Sequence, residues 1–587
     1  MLGKIIEIYE RVVTLELAID IASQTNLINL HVVFEDEQNR IVGEIKSIDQ
    51  KLAKITIVGE FVNDQFYPGF SKKPSFRSSV RMIRLEELSK ILGDQQIIDK
   101  SQVYFGLSTI YTNYRINVRV NSFFSNHFAV IGNSGSGKSF TVARLIQNLF
   151  NGSSFVPLRS NLFIFDAYGE YHNAFSRLGD TNPMIKYQTY TTDVQDASLR
   201  LLKIPIWLLG VDDVAQLLGV DHPNQLPIIE KALRFVRILN NHNPDLEKRK
   251  NDIIARAILD ILLSGKESVK IRDQVTAVLT NFHTTKLNLN SEVKQPGYIR
   301  TLKQCLFIDQ TGKMQEMELV VKFISEFILV DQDETIPNDL VYFTLTDLEQ
   351  ALDFALISEG VLKSDKIFDY ANILSVRLHS LVSSSYAKLF ECNELMSVGD
   401  FIGRLLTAND GKKAQIVNFN IQYVDDRMAK AITKIISRIL FQYNVEARQR
   451  ASIPFHIIIE EAHRYVQSDR DVEILGYNIF DRITKEGRKY GVLLGLITQR
   501  PSELSETALS QCSNFIILRT LHPKDLDFIK SMICSFSCDM IEELKSLRPG
   551  NAVAFGSAFK IPVSVCFDKP NPEPISSNAN LENLWYS

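Results

Sequence analysis

The sequence predicts an α/β protein whose main domain is a largely parallel sheet covered by helices on both faces. Three observations point there. Short apolar runs recur at Leu162–Phe165, Phe455–Ile459, Val492–Ile497 and Phe515–Leu518, the pattern of strands buried on both sides. Helical segments separate most of them: "DDRMAKAITKIISRILFQY" places Met428, Ala431, Ile432, Ile435, Ile436 and Ile439 on one face. A glycine-rich loop, "VIGNSGSGKSFT", joins the apolar run His127–Ile131 to helical spacing over Ser139–Phe150.

At 587 residues the chain exceeds what one hydrophobic core supports, so several domains are expected. With 45% hydrophobic and 23% charged residues, disorder of the whole chain is excluded. Six scattered cysteines are no disulfide framework, and the CSFSC pair Cys534 and Cys538 reads as two buried thiols. A net charge of −4 gives no global sign of nucleic-acid binding, although a local basic channel averages out in such a sum. The start "MLGKIIEIYERVV" carries charges where a signal peptide needs an apolar core, and no apolar run reaches about 18 residues, so a cytoplasmic protein with no membrane contact is expected.

Residues 1–115 read as a β-rich barrel or sandwich. "RVVTLELAI" is β-branched, "IVGEIKSIDQKLAKITIVGEF" reads as paired strands, and "YRINVRVN" over Tyr114–Asn121 alternates. Asn63–Ser79 reads as a loop. The first part of the sheet domain occupies 116–211, with a further strand expected in "KIPIWLLG" over Lys203–Gly210. Residues 212–400 change character to amphipathic helices such as "PIIEKALRFVRILN" and "NDIIARAILDILLSG", a mostly helical insertion. The sheet pattern resumes at "AQIVNFN" and runs over 401–569, ending in "NAVAFG" and "IPVSVCF". The polar tail 570–587 is expected to be poorly ordered.

The chemistry starts in the loop. Gly132-Asn133-Ser134-Gly135-Ser136-Gly137-Lys138-Ser139 matches G-x-x-x-x-G-K-[ST] in full and reads as the P-loop of an NTPase core. Backbone N–H groups of such a loop, with Phe140 opening the helix, cradle phosphates; Lys138 meets the β- and γ-phosphates and Ser139 a Mg²⁺ ion. ATP with magnesium is the expected ligand. The partner strand "FHIIIEEAH" ends in two acids: Glu460 is the candidate for Mg²⁺ and Glu461 for deprotonating the attacking water. An exposed acidic turn at a helix start is the alternative. "LLGLITQRP" ends in Thr498 and Gln499, and the Gln499 amide is placed to sense the γ-phosphate unless it serves as a cap. In "TKEGRKYG", Arg488 is a candidate arginine finger toward a neighbouring subunit; a cation favouring the helix C-terminus is the alternative. His463 lacks a second histidine four residues away and does not read as a zinc ligand. Lys248-Arg249-Lys250 and Lys412-Lys413 read as solvated surface rather than a phosphate-backbone contact.

Together these stretches resemble the HerA-type ATPases of the HerA/FtsK superfamily. The carriers are "HFAVIGNSGSGKS" after a β domain, "FDAYGEY" beside the family's D-P-H-G-E-Y, "IIIEEAHRYV", "TKEGRKYGVLLGLITQRPSEL" and "LRPGNAVAFG". Ala167 and Tyr168 stand where the family has Pro and His, while Asp166, a nucleotide-site residue by this resemblance, and Glu170 are kept. The resemblance implies a RecA-like (ASCE) ATPase core behind an N-terminal HAS-barrel, a homohexamer with ATP sites between subunits, Arg488 acting in trans, and double-stranded DNA in the central pore. It also implies a partner effector on the barrel, either a NurA-type nuclease or a sirtuin-like NAD-consuming protein. The expected function is thus an ATP-hydrolysing DNA translocase or helicase in end processing or anti-phage defence. A ring scaffold that activates an effector, and a conjugation- or secretion-type ATPase, are the alternatives.

Overall fold

The computed structural model describes residues 2–575, except 19–26, 38, 98, 152–154, 197, 242, 244–245, 296, 330–339, 360–364 and 533–537, together with Trp585. Cys534 and the side chain of Cys538 lie outside the described residues.

The N-terminal part is an antiparallel sheet built from Gly3–Tyr9, Val12–Leu17, His31–Glu35, Arg40–Asp49, Leu52–Val62 and Ser79–Met82. Alternation explains it: along Leu52–Val62 every second side chain is buried, and Ala53, Ile55 and Ile57 meet Val13, Leu15, Val32 and Phe34 in one core. The Leu2 N–H donates to the Val80 carbonyl at 2.8 Å, so the sheet curls until its first and last strands meet. Part of the expected Asn63–Ser79 loop is in fact a strand: Gln65–Pro68 folds back on Gly59–Val62, because Asn63 and Asp64 take positive φ and close a tight turn.

The main domain is a twelve-stranded sheet among the described residues, with helices packed on it. Its parallel part runs, side by side, Arg200–Leu201, Tyr187–Thr191, Ile416–Asn420, Leu162–Asp166, Phe455–Ile459, Val492–Thr498, Phe128–Ile131 and Asn514–Ile517. One strand therefore separates the loop-bearing strand from the acid-bearing strand. Parallel strands point their C-terminal ends to one edge, so Gly132, Asp166, Glu460 and Gln499 gather there. Gly495 is required within this packing: a Cβ there would lie 2.4 Å from the Phe128 ring.

Two expectations are corrected. The alternating stretch at 114–121 belongs to the large sheet and not to the N-terminal one: Arg115–Arg119 pairs antiparallel with Gln102–Ser108 at its edge. Local alternation makes a strand but does not choose its partner. "KIPIWLLG" is no strand, because Pro205 opens a 3₁₀ turn over Ile206–Leu208 and the short strand lies at Arg200–Leu201. Among the described residues from Val211 to Leu405 the regular elements are helices apart from a hairpin at Glu292–Gln295 and Tyr298–Thr301, and their core is continuous with that of the sheet. The tail departs from expectation up to Ile575: Gln147, fully buried, accepts from Asn571 N–H at 2.8 Å and donates to the Pro572 carbonyl at 2.8 Å. Beyond 575 the tail is outside the described residues save Trp585. No described helix is long and apolar enough to cross a membrane.

Candidate active site

The glycine loop is shaped by backbone that only glycine adopts readily. Gly135 and Gly137 have φ of 73° and 97°. A Cβ on Gly137 would sit 3.2 Å from the Gly550 nitrogen, and that N–H donates to the Ser136 carbonyl at 3.1 Å. Lys138 opens the helix Lys138–Asn151 and is buried; its amine rests 3.4 Å from the Asn133 carbonyl. Burial lowers the Lys138 pKa, against the pull of Glu461, Glu460 and Glu170. The Ser136 hydroxyl is buried with no hydrogen-bond partner among the described residues.

Facing the loop is a group of carboxyls. Glu460 accepts from the Ser139 hydroxyl at 3.3 Å and from the Ala167 N–H at 3.2 Å. Burial, followed by the nearby charges of Asp166, Glu170 and Glu461, pushes its pKa well above the usual carboxylate range. Glu461 has φ 47° and ψ 45°, a left-handed conformation unusual for a side chain of its size. That twist lets two consecutive glutamates approach one space. Its Oε2 is buried without a hydrogen bond, and burial raises its pKa while Lys138 opposes.

These groups line a cavity of about 640 Å³ with Ser134, Gly135, Gly137, Phe140, Tyr168, Glu170, Gln499 and the strap Phe567–Pro570. Lys138, Ser139, Glu460, Glu461 and Gln499 are thus brought together. Gly132, Asn133 and Ser136 shape the loop from behind: a Cβ on Gly132 would meet Ser136 Oγ at 2.5 Å, and Asn133 Oδ1 accepts from the Leu521 N–H at 3.1 Å. Asp166 is not in the lining. Its carboxylate accepts from the Glu170 and Tyr171 N–H groups at 3.0 Å each and from the Asn418 amide at 3.1 Å, so it folds the turn that carries Glu170. Arg488 is also apart from this cavity. It is exposed at the end of helix Ile479–Tyr490, before the seven-residue strand that ends in Thr498, about 20 Å of chain away.

Sequence reasoning assigned no role to Glu170, Tyr168 and the strap. The first two lie inside "FDAYGEY"; the strap carries no local signal. The donor set suits a polyphosphate and a hard cation: a glycine loop at a helix start, a buried amine, and hydroxyl and carboxylate oxygens side by side. Among the described residues no cluster of three or more His, Cys, Asp or Glu forms a metal cage. A cation here would take phosphate oxygens and water as its remaining ligands, which is the habit of magnesium.

The family model for the central domain of the helicase HerA matches residues 103–440. The chain is similar to a probable helicase of Methanocaldococcus jannaschii, 25% identical over 81% of this chain and 72% of the relative. It is also similar to the DNA double-strand break repair helicase HerA of Pyrococcus furiosus, 22% identical over 80% of this chain and 70% of that one. Among solved structures, the bacterial conjugative coupling protein TrwB aligns with TM-score 0.43 and 12% identity, covering 84% of this chain and 94% of that chain. With its matched region spanning more than half of its length, the chain belongs to the HerA helicase family.

Proposed function

We propose that this chain is the subunit of an ATP-driven motor that moves on double-stranded DNA. The observation that carries the proposal is the meeting of Lys138, Ser139, Glu460, Glu461 and Gln499 in one cavity of a HerA-family chain. Each has a role that its place supports. The loop N–H groups and Lys138 bind the ATP phosphates. Ser139 and Glu460 hold magnesium, which when bound neutralises charge on the phosphate oxygens. Glu461, whose Oε2 is buried without a hydrogen bond, takes the proton of the attacking water. Gln499 reads the γ-phosphate from the end of the neighbouring strand.

A second half of the site comes from another subunit. Arg488, exposed and remote from its own cavity, serves the neighbour's nucleotide in a homohexamer with DNA through the pore. The sheet at residues 3–82 is the HAS-barrel-like domain and the helices between Val211 and Leu405 are an insertion in the ATPase core. Ile6, Tyr9 and Leu52 expose apolar surface on the N-terminal sheet, which supports docking of a nuclease or other effector there.

The test is ATP turnover with and without linear duplex DNA. Duplex should raise turnover by about tenfold or more in the wild type and have no effect on Lys138→Ala, which does not turn over. Turnover indifferent to duplex, with no movement along it, would overturn the motor reading.

A further inference from the structure

His463 is the group that the reading above leaves without a task, and it is not idle in the structure. It is 8% exposed, two residues beyond Glu461, in the 3₁₀ turn Ala462–Arg464. Its Nδ1 lies 3.2 Å from the Thr498 hydroxyl and 3.3 Å from Glu461 Oε2. Only the first contact is a hydrogen bond; Glu461 Oε2 is left unsatisfied. The Thr498 oxygen in turn accepts from the Arg500 N–H at 3.0 Å. One ring nitrogen therefore stands between the carboxylate and the strand end that precedes Gln499.

Nδ1 serves one of these two partners at a time. A neutral imidazole has one N–H and one lone pair, while a carboxylate only accepts and a hydroxyl both gives and takes. When Nδ1 carries the proton and donates it to the Thr498 oxygen, Oε2 receives no hydrogen bond and the carboxylate is free to take a water. When Nδ1 carries the proton and turns toward Oε2, it holds the carboxylate back. The two distances are nearly equal, so a small ring rotation exchanges them. Burial favours the neutral ring that this exchange needs.

We propose that His463 is a positioning residue for Glu461, linking the carboxylate through Thr498 to the nucleotide-facing end of the Val492–Thr498 strand. This inference rests on Glu461 being the base of the reaction. Displacement of Gln499 by the γ-phosphate moves Thr498, the adjacent residue, and thereby decides which partner Nδ1 serves. Hydrolysis is coupled to correct seating of the nucleotide without any direct bond between Gln499 and Glu461.

Four single variants of the full chain, one double variant and a control test it, with kcat and KM for ATP as readout. His463→Phe keeps the ring and removes both nitrogens; it should lower kcat about tenfold or more with KM within about twofold. His463→Asn places an amide near Nδ1 and should keep most activity, whereas His463→Gln, whose amide falls near Nε2, should not. Thr498→Val should lower kcat, and combined with His463→Phe should cost no more than the worse single variant, because both break one link. Unchanged kcat in His463→Phe, equal rescue by Asn and Gln, or multiplying effects in the double variant would overturn the inference. If His463→Phe does not fold, the Asn and Gln pair decides alone. Glu461→Gln is the control: if it still turns over, the assignment of the base fails, whereas an inactive Glu461→Gln beside a silent His463 series refutes the link only.

Discussion

Ser139 Oγ lies 3.3 Å from Glu460 Oε1, although 321 positions separate the two residues in the chain. The pair is brought together because their strands end at the same edge of the sheet with a single strand between them. A hydroxyl and a carboxylate at this spacing suit one shared cation. Glu460→Gln keeps the shape and removes the charge. It is expected to raise the magnesium concentration that supports half-maximal turnover by about tenfold or more, while nucleotide binding at saturating magnesium persists. A titration of turnover against magnesium checks it.

Gln147 joins three parts of the chain. Its amide donates to the Ala174 and Pro572 carbonyls at 3.1 and 2.8 Å, and its oxygen accepts from the Asn571 N–H at 2.8 Å. Gln147→Leu has nearly the same volume and leaves these backbone groups unpaired, at a cost of about 2–4 kcal/mol. The strap Phe567–Pro570, which walls the cavity, then loses its anchor. Denaturant unfolding should show the loss, and limited proteolysis should cut near 570 in the variant and not in the wild type.

Gly487 and Arg488 are neighbours with opposite demands. A Cβ on Gly487 would stand 2.3 Å from the Val492 carbonyl oxygen, so Gly487→Ala should push the helix off the sheet and destabilise by about 1–3 kcal/mol. Arg488 is exposed, and Arg488→Ala should leave the melting temperature unchanged while abolishing turnover. Mixing it with inactive Glu461→Gln subunits, which keep Arg488, should restore part of the activity. A mixture with no activity would contradict a trans role.

His31 gives the N-terminal sheet a pH dependence. Its Nδ1 is 2.7 Å from the Tyr111 hydroxyl, its Nε2 is buried without a partner, and burial, aided by Lys46, lowers its pKa from 6.5 to about 4. The unfolded chain binds the proton more readily, so stability falls as pH drops from about 6.5 towards 4 and levels off below. At pH 5 the loss from this group is about 2 kcal/mol relative to pH 8. Unfolding of His31→Asn measured at both pH values should show a difference smaller by that amount.

What was legible in the sequence was local. The glycine loop, the acids of "IIIEEAH" and the strand ending in Gln499 are contiguous patterns, and each announces its chemistry within about ten residues. The twist at Glu461, with φ 47°, has no such signature, because strand-end strain is imposed by the surrounding sheet. The edge strand Arg115–Arg119 alternates equally well for either sheet, and only tertiary packing selects its partner. The strap at Phe567–Pro570 was invisible for a similar reason: its anchor, Gln147, is more than four hundred residues away in the chain. Asp166, a nucleotide-site residue by the resemblance alone, lies outside the cavity lining: its carboxyl shapes the turn that carries Glu170 and faces Glu460.

The most direct measurement is steady-state ATP turnover of Glu461→Gln beside its affinity for a non-hydrolysable ATP analogue. Loss of turnover by about a hundredfold or more, with affinity within about threefold of the wild type, is the result expected of a catalytic base. Near-normal turnover in Glu461→Gln would contradict the hydrolytic site at the centre of this account.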